Sequence, residues 1–304
     1  MARMPEPQAL GTDPRADSQA TPLSIGFIGA GRAASTLARS LERAGHEVVL
    51  ARRGEAAAAL AEALDARLVD RADVLALSDV TFLAVPDSAI HRLAGDLARE
   101  AVPGNGRLVA HLSGSQGRAV LEPLARRGYA IAAIHPLQVM SGWRIAPGTA
   151  FSVEAEGTAS AVAARIVADL SGIRIELPAG ARAASHAAAV IAANLGMTML
   201  AEAVDLLQAQ GIPRAEALGG LASLVRGGLE ASMDRGLPGA LTGPVTRGDV
   251  ATVAANLEAL ATDPELRRAY ASTSLLTLRQ GLRDGRPRSA EAAAAIRRIL
   301  EEAL

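Results

Sequence analysis

The chain has 304 residues, of which 50% are hydrophobic and 21% charged, with a net charge of −1. That balance describes a globular protein long enough for two domains, and it gives no electrostatic reason to bind nucleic acid or an anionic membrane. Cysteine is absent, which excludes disulfides and thiolate metal sites; lysine is absent too, which excludes Schiff-base chemistry and a lysine acid.

Residues 1–22 are polar, carry Pro5, Pro7, Pro14 and Pro22, and lack the apolar run of a signal peptide. They read as a disordered leader, and the cytoplasm is the expected compartment. From Leu23 to about Pro178, short apolar runs alternate with amphipathic stretches, the pattern of βαβ units around a parallel sheet. Strands are predicted at 24–28, 47–51, 80–85, 107–111, 130–134, 150–154 and 173–177, with helices opening near Arg32, Glu55, Ser88, Gly117 and Thr158.

Past Pro178 no strand run remains, and Ala, Leu, Glu and Arg recur at helical spacing. Gly211-Ile212-Pro213, Gly236-Leu237-Pro238-Gly239 and Asp284-Gly285-Arg286-Pro287 read as helix ends, and Asp263-Pro264 as an N-cap with proline at the first helical position. The most apolar helix, Ala187–Val204, is interrupted by Asn194, Thr198 and Glu202, so it reads as a buried core helix rather than a membrane span. The fold class is therefore α/β: a Rossmann-type, mostly parallel sheet domain over 23–179, followed by an all-helical domain over 180–304.

One stretch points to a cofactor. The apolar strand Ile25–Ile28 runs into Gly29-Ala30-Gly31 and opens directly onto a helix. In that context a glycine turn lets a pyrophosphate sit against helix N–H groups. Gly29 suits the tight turn, Gly31 the close approach of phosphate, and Ala34 the packing of helix on strand. Arg32 and Ala33 border the same turn. An NAD-selective domain carries a carboxylate after its second strand to hold the ribose hydroxyls. Here that strand ends in Arg52-Arg53-Gly54. Two guanidiniums suit a 2′-phosphate, so the expected cofactor is NADP.

Three further strand ends have unusual sequences, and all should converge beside the nicotinamide. Val85-Pro86-Asp87 stops one strand with a proline, and Val85 and Pro86 are counted with the cofactor site. His111-Leu112-Ser113-Gly114-Ser115 offers hydroxyls to a carboxamide or carboxylate, with Ser113 foremost. Ile134-His135-Pro136 offers a histidine held extended by proline. In the helical half, His186, Val190 and Asn194 fall at i, i+4, i+8 on one stripe, and polar groups on an apolar helix are costly unless bonded or facing a cleft. The segment Leu241–Asp249 holds Thr242 and Arg247 on a Gly/Pro loop, suited to clamping a substrate carboxylate, with Asp249 capping the next helix. No metal site is expected.

The segments FIGAGRAAS, FLAVPDSAI, HLSGSQG, IHPLQVMSG, SHAAAVIAAN and ALTGPVTRGDV, in that order over roughly 23–300, resemble the Rossmann-like proteins with a DUF2520 domain. These are similar to the broad 6-phosphogluconate-dehydrogenase-like reductases, which include ketopantoate, pyrroline-5-carboxylate and prephenate enzymes. The resemblance implies an NADP-dependent reductase of a small 2-oxo or imino acid, ketopantoate-like as the first guess, and a homodimer formed through the helical domain. In ketopantoate reductases the helix opening the second domain carries a lysine and then two asparagines at four-residue intervals. By similarity His186 stands for the lysine, Val190 for the first asparagine and Asn194 for the second. The general acid would then be His186, or His135, which matches a substrate-contacting histidine of prephenate dehydrogenases. A deazaflavin (F420) reductant, or a dinucleotide sensor without turnover, are the alternatives.

Overall fold

The computed structural model describes residues 21–100, 102–140 and 143–304. The leader expected over 1–22 therefore lies, apart from Thr21 and Pro22, outside the described residues. Contacts divide the chain into two compact units, Met1–Val190 and Ile191–Leu304.

The first unit is built on one eight-stranded sheet. Its strands are β1 (Ser24–Ile28), β2 (Glu47–Ala51), β3 (Arg67–Val69), β4 (Val80–Leu83), β5 (Leu108–His111), β6 (Ala130–Pro136), β7 (Ala150–Ala155) and β8 (Ile173–Glu176). They lie in the order β3-β2-β1-β4-β5-β6-β7-β8. All neighbours are parallel except β6 and β7. The chain winds outward in one direction from β1 and in the other from β4, so the crevice outside their carboxyl ends is the topological switch point. Around the sheet lie α1 (Arg32–Arg43), α2 (Glu55–Leu64), α3 (Arg71–Leu77), α4 (Asp87–Glu100), α5 (Glu122–Ala125), α6 (Gly157–Asp169) and α7 (Arg182–Ala189).

Alternate residues of each strand supply two separate cores, as the two-residue period of a strand dictates. Phe27, Leu50, Phe82 and Ile134 face α1, α2 and α6. Ile28, Val49, Leu83 and Val109 face α3, α4 and α5. The sequence pattern anticipates seven of the strands to within two residues. β3 and α3 were not predicted; a three-residue edge strand and a seven-residue helix are too short to display a period. The strand expected over 80–85 stops at Leu83, where the chain peels away toward Pro86.

The composition changes at 179/180, but the contacts divide the chain one helix later. The reason is Arg182, the first residue of α7, whose side chain is fastened to β6 and β7.

The second unit holds only helices among its described residues: α8 (Gly196–Ala209), α9 (Arg214–Ala240), α10 (Pro244–Arg247), α11 (Val250–Ala259), α12 (Pro264–Arg283) and α13 (Ala290–Glu301). Val245, Val253, Leu278, Ile296 and Leu300 form its core among α10–α13. Asp263 and Asp249 cap α12 and α11 through backbone N–H groups, as their sequences predict. The helix end expected at Gly236 is a break inside α9, where Gly236 takes φ 76° and ψ 160°.

Two readings of the apolar helix are corrected. The helical run Arg182–Ala209 is long and apolar enough to cross a membrane by length and composition, yet only 6% of its apolar window is buried. It is not a core helix of this chain. A π-helical turn, Val190–Leu195, also interrupts the 3.6-residue repeat on which the His186–Val190–Asn194 stripe was reckoned.

Phe27 and Phe82 stack at 5.4 Å between ring centroids, both fully buried at the centre of the sheet. Phe82→Ala should cost about 3–5 kcal/mol in guanidinium unfolding at unchanged m; a loss below about 1 kcal/mol would show that this stack is not a centre of the core.

Candidate active site

The glycine turn sits at the switch point. Gly29 takes φ +113°, and a β-carbon there would lie 2.3 Å from the carbonyl oxygen of Ala84, so only glycine lets the end of β1 pass this close to the end of β4. Gly31 precedes α1, and a β-carbon there would meet nothing within 4 Å. No side chain caps α1, and its first turn holds no carboxylate. Its leading N–H groups are thus left without a side-chain acceptor, the arrangement that suits an anion.

A cleft of about 720 Å³ opens beside this turn, lined by Gly29, Ala30, Gly31, Arg52, Arg53, Val85 and Pro86, all anticipated for the cofactor. Arg32 instead lines a second hollow of about 660 Å³ on the far side of the turn, with Ser35, Arg39 and Trp143. Ala33 packs against the core of α1. Four charged residues that the sequence reading did not place there also line the first cleft: Asp70, Arg71, Arg92 and Glu100. Arg71 is paired with Glu100, which holds its guanidinium above its usual pKa. Arg52 donates one N–H to the Leu68 carbonyl at 3.0 Å, fixing it beside β3. Among the described residues Arg53 and Arg92 have no hydrogen-bond or ion-pair partner, so their charge is available to a ligand.

The ends of β4, β5 and β6 are tied into one cluster. Asp87 Oδ2 accepts hydrogen bonds from the hydroxyls of Ser113 and Ser115, each at 2.7 Å. Ser113 Oγ in turn accepts from the backbone N–H groups of Ser115 and Gln116. The Ser113 proton, expected to serve a ligand, is committed to Asp87. His111 is fully buried, donates from Nε2 to the Gly117 carbonyl and accepts the Ser113 N–H at Nδ1. Burial pushes its pKa down to about 4, the bond to Gly117 opposing and Arg182 assisting.

His135 donates from Nδ1 to the Leu112 carbonyl at 2.8 Å. Its pKa is also lowered, chiefly by burial. His186, on α7, stands edge-on to it with ring centroids 6.3 Å apart and planes at 77°. The first unit therefore brings together Ser113, His135 and His186, three of the four anticipated catalytic residues. Behind them lies Arg182, 2% exposed, which donates to Ala133 O at 2.7 Å and Ser152 Oγ at 3.0 Å and faces Glu154 at 3.9 Å.

In the second unit Asn194 is exposed, and its carbonyl accepts from Thr198 Oγ1. The expected Gly/Pro loop is mostly one helical turn, α10, set by buried Val245 and Thr246 and flanked by Gly243 and Gly248 in left-handed conformations. Thr242, just before this turn, and Arg247, its last residue, are both exposed.

Residues 9–136 match the family model of a Rossmann-like domain, and residues 149–277 that of a domain of unknown function, DUF2520. The chain is a Rossmann-like and DUF2520 domain protein. No curated protein matches it by sequence. Among solved structures, this DUF2520 protein is similar to a Bacteroides fragilis protein proposed as an NADP oxidoreductase. The two are 26% identical with a TM-score of 0.65, over 84% of this chain and 98% of that one. A pyrroline-5-carboxylate reductase from Coxiella burnetii is 16% identical, with a TM-score of 0.59 over 92% of this chain and 97% of the other. A reductive aminase from Aspergillus terreus, solved with NADPH and ethyl-5-oxohexanoate, is 18% identical, with a TM-score of 0.57 over 93% and 94%. The last two likenesses carry the fold alone.

The residues that sequence reasoning missed share one cause. Arg92 and Arg182 are unremarkable in local sequence and reach the site only through the strand order, and Asp87, whose segment was expected there, was missed only as the partner of Ser113 and Ser115. The one available signal for Arg182 was a charge opening an otherwise apolar helix.

The buried histidines make stability depend on pH. Between the usual value of 6.5 and about 4, the unfolded chain binds a proton at His111 that the folded chain refuses. Stability should be complete above 6.5 and fall by about 1.4 kcal/mol per pH unit for this group as the pH drops through that window. His135 adds in the same direction. Guanidinium midpoints at pH 7.5, 6 and 5 measure the slope, and His111→Asn should flatten it; a slope unchanged in that variant would contradict the assignment.

Proposed function

We propose that this chain is an NADP(H)-dependent reductase of a carbon–oxygen or carbon–nitrogen double bond in a small 2-oxo or imino acid. The observation that carries this reading is the cleft, in which an uncapped helix N-terminus opens beside guanidiniums that lack acidic partners. A dinucleotide diphosphate fits the first, and a 2′-phosphate fits the second. Gly29, Ala30 and Gly31 would hold the diphosphate, Arg53 and Arg52 the 2′-phosphate with Arg92 as a further cation, and Asp70, which lines the same cleft, would serve the ribose hydroxyls. The bound nicotinamide supplies the hydride. The DUF2520 and Rossmann-like assignments and the likeness to NADPH-complexed folds agree with that cofactor.

The chain's own residues then have to manage charge. As negative charge grows on the substrate oxygen or nitrogen, the histidine pair at the strand ends is the proton source, worth about 10²–10⁴-fold in rate. Ser113 contributes by fixing its loop through Asp87. Arg247 with Thr242 is the proposed clamp for the substrate carboxylate, and a 2-oxo acid of the ketopantoate kind is the first substrate to try. The setting we propose is cytoplasmic.

Arg53→Ala should weaken NADPH by about tenfold or more while NADH affinity changes little, read by fluorescence titration. Equal weakening of both would remove Arg53 from the 2′-phosphate site. Consumption of NADPH with a panel of 2-oxo acids and cyclic imines tests the reaction. Tight NADPH binding with no consumption across the panel would favour a sensor, and binding of deazaflavin alone would favour the other reductant.

We also propose that the protein works as a homodimer joined through its helical unit. Leu224, Leu229 and Met233 of α9 are 73%, 64% and 88% exposed, and Ile191 and Leu195 lie bare at the start of that unit. A second copy presents the same apolar surface, so a twofold pairing covers both at once. Light scattering should give twice 31.1 kDa, and Leu224→Glu with Leu229→Glu should halve it. A monomeric wild-type protein would overturn the proposal.

A further inference from the structure

The cofactor cleft leaves one well-built part of the first unit without a role, the connection between β6 and β7 over residues 137–149. Gln138 clasps it. Its Oε1 accepts from the Ala146 N–H at 2.9 Å and the Thr149 hydroxyl at 2.8 Å, and its Nε2 donates to the Arg144 carbonyl at 3.1 Å. The Ile145 N–H donates to Ser40 Oγ of α1 at 2.8 Å, and the Ile145 side chain is buried in the first core. These bonds fasten the chain to α1 directly after Trp143. Trp143 is the only tryptophan in the sequence, and it is 72% exposed. Rings of that size are mostly covered in folded proteins, so leaving this one in water forgoes a large apolar gain.

The adjoining face of α1 is cationic. Arg32, Ser35 and Arg39 fall at i, i+3 and i+7 on one helix face, and all three line the hollow of about 660 Å³ with Met140 and Trp143. The Arg39 guanidinium lies 5.1 Å from the centre of the Trp143 ring. That cation–π contact steadies the guanidinium and leaves its N–H groups unspent. Among the described residues neither Arg32 nor Arg39 has a hydrogen-bond or ion-pair partner, and no carboxylate lines the hollow. One wall is therefore positive and another apolar. Ala30 and Gly31 line both this hollow and the cofactor cleft, so the two lie on either side of the same turn.

We propose that this hollow is a second binding site, for a small organic carboxylate that carries a flat apolar ring. Arg32 and Arg39 hold the carboxylate, and the ring lies against Trp143 and Met140. A carboxylate gives the guanidinium N–H groups the acceptors that the chain withholds. The ring covers indole surface that the chain leaves wet. An inorganic anion would use the cationic wall alone, and an uncharged ring the apolar wall alone. The site lies outside the reductase reading, and its test needs no turnover.

Trp143 reports on the site directly, because no other tryptophan emits. With excitation at the red edge, where tyrosine does not absorb, emission of the full-length protein should change saturably with phenylacetate, giving a Kd below about 1 mM. Calorimetry of the same titration registers binding that leaves emission unchanged. Acetate, phenylacetamide and inorganic phosphate should each bind at least about tenfold more weakly, since each lacks the ring or the carboxylate. Arg32→Gln with Arg39→Gln should weaken phenylacetate by about tenfold or more, with the guanidinium unfolding midpoint little changed. Phenylacetate that does not saturate, phosphate or phenylacetamide binding equally well, or a double variant as tight as wild type overturns the proposal. So does exclusion of phenylacetate by NADPH, or an equal loss of NADPH affinity in the double variant, since the hollow would then belong to the cofactor site. Phenylacetate bound at Trp143 by a protein that takes up no NADPH would leave this site standing and remove the reductase reading.

Discussion

The arrangement at the strand ends depends on one buried cation. Arg182 opens α7 and is sealed within the first unit, where its guanidinium spans the antiparallel ladder of β6 and β7, reaching Ala133, Ser152 and Glu154. Burying such a charge is expensive, and the compensation here is incomplete, since its Nε and Glu154 Oε2 face each other at 3.9 Å without a hydrogen bond. What the cation returns is position. A helix whose first residue is pinned to two strands has its next turn fixed as well, and that next turn carries His186.

The rest of the cluster is stitched in the same manner, by short polar bonds between strand ends that are distant in sequence. Asp87 draws the β5 loop to the start of α4 through two hydroxyls, and His135 holds the same loop from β6 through Leu112. Two glycines stand where these elements press closest. Gly29 admits the Ala84 carbonyl, and Gly114 admits two imidazoles. The bond to Leu112 orients the His135 ring, and the missing side chain of Gly114 leaves room for His186 beside it.

These features were legible in the sequence to different degrees, for physical reasons. The glycine turn and Arg53 were readable because their roles are local: a left-handed φ, an uncapped helix, a cation directly after a strand. Arg92, Arg182 and the bonds of Asp87 to Ser113 and Ser115 were not, because they depend on sheet order, which one-dimensional periodicity does not encode. The Ser113 hydroxyl was recognised as polar equipment, but its partner lies across β4 and β5. The run around Ala187–Val204 was misread for a different reason. Apolar composition says that a surface wants covering, and does not say whether the same chain covers it.

A chain without lysine has few groups able to release a proton near neutral pH, and the structure narrows them further. Arginine does not deprotonate. Tyr129 is buried and donates to the Val102 carbonyl, and Tyr270 accepts from Asn256 in the second unit. Asp87 is an acceptor for two hydroxyls. Of the histidines, His46 bonds Asp169 and the Leu23 N–H, His111 is used at both nitrogens, and His91 lies exposed on α4. His135 spends Nδ1 on Leu112 and turns Nε2 inward. His186, half-buried on α7 beside Gly114, is the one whose Nδ1 has no hydrogen-bond partner among the described residues, so its ring is not committed to holding the fold.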